Sequence, residues 1–181
     1  SQKKICELLF KSLTGINESG VMTCSPMTIS EIADHTSKSI DEITTVASCF
    51  TDVKCGVLQV YEHEGIQGRL QSFDTILNKS DNLLGEYSEL RVAQDAILHH
   101  WKRLTDWVKS EQTKAKTYLD LVSDSAKSDL LYEGEKLEQV SNWFEKEKPN
   151  KAWASRYNLN YAQAFSFLDK SIQETRSKKN R

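Results

Sequence analysis

Apolar residues recur along this chain at two spacings, every third or fourth position and every second, and the switches between them mark out its elements. The clearest helical stripe is Ala93, Ile97, Trp101, Leu104 and Val108, which Leu98 and Trp107 widen. It predicts one amphipathic helix over 93–109, with His99, Lys102, Arg103 and Lys109 on its polar side. Just before it, Leu90-Arg91-Val92 alternates and predicts a short strand. Upstream, Ile5, Leu8, Leu9 and Leu13, with Phe10, predict a helix over 3–13. Gly15 to Gly20, with Asn17 and Ser19, reads as a loop, and Val21-Met22-Thr23-Cys24 as a short strand.

Two helix starts are written in the polar positions. Thr28 is followed three residues later by Glu31, and Ser39 by Glu42, the spacing at which a hydroxyl and a carboxylate cap a helix reciprocally. Ile29, Ile32 and Ala33 form the buried side of the first of these helices, and Ile40, Ile43, Val46, Ala47 and Phe50 that of the second. A strand over Gly56–Tyr61 follows, and the Leu90–Val92 strand would close a hairpin with it. Helix, turn, helix and hairpin are the order of a winged helix. Between the strands, Ile66, Leu70, Phe73 and Leu77 fit an inserted helix, while Ile66, Gly68, Leu70 and Ser72 equally permit a strand.

Three more stripes follow the long helix. They are Ala115, Leu119, Val122 and Ala126; then Leu137, Val140, Trp143 and Phe144; then Ala162, Phe165, Leu168 and Ile172, with Asn158 as a cap. Gly134 falls near a helix start, and Pro149-Asn150 ends that helix. The expected fold class is mainly α: a winged helix-turn-helix with a small β-wing, followed by a C-terminal helical bundle. The expected division is a winged-helix domain over 1–92, with a long wing at 62–89, and a bundle over 93–181 led by a connecting helix at 93–109.

Composition adds little to the fold and more to the function. The 181 residues contain no apolar run long enough for a membrane span, and the N-terminus lacks the apolar core of a signal peptide. Ser1-Gln2 has the look of a cloning scar, which would make the chain a fragment. Residues 1–90 carry seven Lys/Arg against thirteen Asp/Glu, and residues 91–181 seventeen against thirteen. Cys6, Cys24, Cys49 and Cys55 form no Cys-x-x-Cys pair and have no His at zinc-ligand spacing, so reduced, structural thiols in a cytoplasmic protein are expected, with no metal. No Gly-x-x-x-x-Gly-Lys-Ser/Thr phosphate loop and no Gly-x-Ser-x-Gly elbow occur, and Glu62-His63-Glu64 lacks the second His of a zincin. His99 and His100 diverge by about 100° on a helix and cannot share one metal. No catalytic residue is assigned.

The stretch Ala93-Gln94-Asp95-Ala96-Ile97-Leu98-His99-His100-Trp101-Lys102-Arg103-Leu104-Thr105-Asp106-Trp107 resembles a signature of bacterial STAND-type signalling ATPases, related to NACHT and apoptotic ATPases. There the pattern runs V-A-H-E-A-L-hydrophobic-R-x-W-x-R-L-x-x-W, at the end of the winged helix. The match falls on Val92, Ala93, Ala96, Leu98, Trp101, Arg103, Leu104 and Trp107. Leu130 to Leu137 with Trp143 resembles the family's L-L-x-x-G-x-x-L-x-x-A-x-x-W, and Phe167-Leu168-Asp169-Lys170-Ser171 its F-L-x-x-S. The resemblance covers the second half of the chain, and the first half more loosely.

It implies a non-catalytic regulatory region that couples the nucleotide state of an ATPase core to sensor or effector domains of the same polypeptide, with self-association as a further partner. ATP or ADP would bind the parent protein, and no cofactor is expected in this chain. It also implies nucleotide sensing at Gln94 and Asp95, while the apolar stripe itself places Trp101, Leu104 and Trp107 in an expected interdomain core. The family has His where Gln94 stands, and Gln carries no titratable charge there. The alternative is a winged-helix DNA-binding transcription regulator, reading through Ser39, Thr44 and Thr45. Its recognition helix would carry Asp41 and Glu42 and no Lys or Arg, the wrong sign for phosphate. The basic end Arg176 to Arg181 is the one stretch suited to non-specific nucleic-acid contact, and no membrane partner is expected.

Overall fold

Both predicted capping boxes form, and they fix where two helices begin. The Thr28 hydroxyl accepts from Glu31 N–H at 3.2 Å, and the Glu31 carboxylate accepts from Thr28 N–H at 2.8 Å. Ser39 and Glu42 repeat the arrangement at 3.2 and 3.1 Å. Each box satisfies two backbone donors that a helix end otherwise leaves open. The computed structural model describes residues 1–17, 21–52, 54–62, 84–127 and 130–179. The expected insertion lined by Ile66, Leu70, Phe73 and Leu77, and the His63-Glu64 pair, lie outside the described residues.

In order, the elements are α1 (Gln2–Leu13), β1 (Thr14–Ile16), β2 (Met22–Cys24), β3 (Met27–Thr28), α2 (Ile29–Thr36), α3 (Ile40–Thr51), β4 (Leu58–Glu62), β5 (Ser88–Val92), α4 (Asp95–His100), α5 (Lys102–Lys127), α6 (Gly134–Glu147), α7 (Lys151–Ser155) and α8 (Tyr161–Lys179). The fold is mainly helical, with two small antiparallel sheets among the described residues. The chain divides into two compact units, Ser1–Val108 and Lys109–Arg181.

In the first unit, β5 pairs with both β4 and β3, giving the sheet order β3-β5-β4. The register sets Leu58 opposite Val92, Val60 opposite Leu90 and Met27 opposite Leu90. The alternation then turns Leu58, Leu90 and Val92 into the core and leaves Gln59 and Arg91 outside. Beneath the sheet, Leu9, Phe10 and Leu13 of α1, Ile29 and Ile32 of α2 and Ile43 of α3 are fully buried. The unit runs sixteen residues past the boundary expected at 92/93, because Leu98, Leu104 and Val108 are buried in this same core.

The structure corrects three expectations here. The single helix over 93–109 is broken at Trp101, whose φ of −89° and ψ of 88° leave the helical region. No proline or glycine causes the break. Helical spacing continues on both sides of Trp101, so periodicity does not reveal it; the ring instead seats edge-on against Phe10 and Trp107, at 4.8 and 5.7 Å between centroids. Second, the Gly15–Gly20 loop begins with a strand. Thr14–Ile16 pairs with Met22–Cys24, and Asn17 closes the hairpin by donating its N–H to Val21 O and accepting Val21 N–H at its side chain, both at 2.9 Å. Third, Cys49, expected as a structural thiol, is exposed.

In the second unit, the buried line of α5 runs through Glu111, Ala115, Tyr118 and Val122 at alternating steps of four and three. Leu119, placed on that face by the sequence, is 40% exposed, and Ala126 is exposed as well. Leu137 and Val140 of α6 and Ala164, Phe167, Leu168 and Ser171 of α8 complete the core, leaving the predicted Ala162 outside. The short α7 was not anticipated. Asn150, read as a helix end, is its N-cap and accepts Trp153 N–H at 2.7 Å. Asn158 accepts Asn160 N–H at 2.9 Å in the turn before α8 rather than capping the helix itself.

Candidate interaction surface

The features best suited to contact another molecule lie on the first unit, where α1, α3 and the α4–α5 corner meet. Phe50 ends the apolar stripe of α3, and Trp101 is held at the helix break. Both rings rest edge-on against the fully buried Phe10, at 5.1 and 4.8 Å between centroids. Such edge-to-face pairs contribute about 0.5–1.5 kcal/mol each beyond area burial, so the two rings form a fixed wall.

An open groove of about 360 Å³ is lined by these two rings, with Trp107, Cys6 and Cys49 along it and Lys3 and Arg103 at its rim. A second hollow of about 460 Å³ shares Phe50 and Trp101 and adds Val57, Ile97 and His100. Burial pushes the Cys6 thiol above its ordinary range, against the pull of the Arg103 guanidinium, so Cys6 serves as a neutral wall group rather than a nucleophile. Among the described residues, no group of three or more His, Cys, Asp or Glu side chains is placed to hold a metal.

The residues singled out in the sequence are scattered by comparison. Gln94 is the N-cap of α4 in extended conformation; it is exposed and its side chain makes no capping bond. The side chain of Asp95 lies outside the described residues. Leu104 is fully buried, and Trp101 and Trp107 are half-buried against the first unit's core. Of the recognition-helix candidates, Ser39 is committed to its cap, and the Thr44 hydroxyl is buried without a partner among the described residues. Only Thr45 is open, on an exposed face shared with Asp41, Glu42, Ser48 and Cys49.

The second unit contains a polar arrangement that the sequence reading missed. Glu111, 8% exposed, accepts from the Trp153 indole N–H and from the Tyr157 hydroxyl at 3.3 Å. The Lys114 ammonium sits 4.4 Å from the centre of the Trp153 ring. Burial, then the Glu111 charge, pushes the Tyr157 hydroxyl well above the ordinary tyrosine range. A charged residue inside the 104-108-111-115-118 stripe was the available signal. The carboxylate thus forms a buried tie between α5 and α7.

Comparison of the chain with protein-family models, with curated proteins and with solved structures gives no match.

Proposed function

We propose that this chain is a non-catalytic regulatory and interaction region of the kind that couples a STAND-type ATPase core to sensor or effector parts. The observation that carries the reading is the exposed face of α3. Asp41, Glu42, Thr45, Ser48 and Cys49 lie there with no Lys or Arg among them. The nearby Lys38 is drawn to Glu42, with N to O at 3.6 Å. A helix that reads DNA needs cations for phosphate, and this one offers carboxylates, so it is suited to a protein surface.

Two further observations support the resemblance. The succession α1, β3, α2, α3, β4, β5 with sheet order β3-β5-β4 supports the winged-helix reading, with the β1–β2 hairpin as an insertion after the first helix. The two C-terminal motifs also meet. Ser171 accepts Tyr132 N–H at 3.1 Å, and Tyr132 packs edge-on against Phe167 at 5.0 Å. On this reading Gln94 and Asp95 stand where the family senses nucleotide, and the nucleotide itself belongs to a core outside this chain.

The test is fluorescence anisotropy on random and selected DNA duplexes at near-physiological salt, for the whole chain and for a version ending at Thr175. The expected result is weak, sequence-independent binding that is lost with the tail. Submicromolar, sequence-selective binding that survives truncation and disappears on changing residues 40–50 would make the chain a transcription regulator instead. Calorimetric titration with ATP and ADP completes the test, since micromolar binding with magnesium-dependent turnover contradicts a non-catalytic role.

A further inference from the structure

We propose that the trough formed by the two hollows that share Phe50 and Trp101 is a docking site for an amphipathic helix of a partner protein, its anchors apolar and one flank acidic. The inference rests on the interaction-region reading above and names the kind of partner.

Geometry supports a helix. The hollows share Phe50 and Trp101, so one elongated occupant can place an apolar group in each. Side chains at i and i+4 of a helix lie about 6 Å apart along one face, so two successive anchors can serve two adjoining hollows. Because Phe10 backs both rings, the surface is already in its binding shape, and little ordering opposes association.

Charge selects the flank. Lys3 and Arg103 are exposed at the rim of the Trp107 side, and among the described residues neither makes an ion pair. At the other end of α3, Asp41 and Glu42 border a separate hollow with Gln2 and Ile5. An acidic flank is therefore drawn to the Arg103 end and repelled from the Asp41 end, which fixes the direction of the bound helix. Cys49, exposed on the groove, serves as a native reporter of occupancy, and the exposed Cys55, which does not line either hollow, as its control.

The experiment displays a library of helix-forming peptides on phage and selects on the whole chain. Enriched sequences should carry apolar residues at i and i+3 or i+4 with Asp or Glu on one flank. The most enriched peptide, made synthetically, should slow maleimide labelling of Cys49 about tenfold at saturation and leave Cys55 unchanged. Arg103→Glu, a surface change checked for folding by circular dichroism, should weaken that peptide about five- to tenfold, as reversal of an exposed pair implies, and a peptide with Lys for Glu should recover the loss. Enrichment without acidic residues, binding indifferent to Arg103→Glu, no enrichment, or Cys49 protection that rises with protein concentration alone would each overturn the proposal. None of those outcomes bears on DNA or nucleotide binding, so the broader reading stands or falls separately.

Discussion

Replacing Trp153 by Phe, alone and together with Glu111→Leu, probes the buried carboxylate that holds α7 to α5. Trp153 is 5% exposed and Glu111 8%, so their hydrogen bond is shielded from water. A hydrogen bond to a charged group contributes about 1.5–3 kcal/mol net, and leaving the carboxylate one donor short adds a desolvation cost. Phe keeps most of the ring but has the weaker cation–π attraction for Lys114, worth about 0.5–1 kcal/mol. Trp153→Phe should therefore destabilise the second unit by about 2–4 kcal/mol. Glu111→Leu alone should cost a similar amount, because it strands the indole N–H and the Tyr157 hydroxyl. The double variant removes charge and indole donor together and should lose clearly less than the sum, a coupling of about 1.5–3 kcal/mol. Urea unfolding followed by circular dichroism measures it, fitted to the second unit's transition because two units can unfold separately. A coupling below about 0.5 kcal/mol would place the carboxylate in water and refute the account of this tie.

Thr28→Ala and Ser39→Ala should each cost about 1 kcal/mol in denaturant unfolding of the first unit, and a change to Gly only a few tenths. The Asp124 carboxyl is held below the ordinary aspartate range, first by the Lys136 hydrogen bond and then by that of Tyr132, both at 2.6 Å. Its stabilising contribution is thus complete above the unfolded value near 4 and is lost as pH falls through the lower folded value. An NMR titration of its carboxyl carbon should show the low midpoint and its return toward normal in Lys136→Ala. Gly134 has φ +56° and open space around its missing side chain, so Gly134→Ala should cost about 1 kcal/mol from backbone strain alone, read as a lower urea midpoint.

What the sequence made legible was local. The capping boxes need only residues three apart, and the stripes of α1, α3 and α6 need only a few turns, so these elements sit where the pattern puts them. The break at Trp101 depends on Phe10, some ninety residues away, and no window on the sequence contains both. The α1–β1 transition was hidden because a three-residue strand has no periodicity to read. The groove was hidden for the same reason as the break, since Lys3, Cys6, Phe50 and Arg103 share no stretch of chain. Glu111 was readable in principle, as the single charge inside an otherwise apolar line.

The central claim, a regulatory region built to serve an ATPase core, is tested most directly by sequencing the natural reading frame that encodes this chain. The account predicts an upstream strand followed by Gly-x-x-x-x-Gly-Lys-Ser/Thr and a helix, the device that cradles phosphate and that these 181 residues lack. A frame in which Ser1 is preceded by no phosphate loop would contradict it.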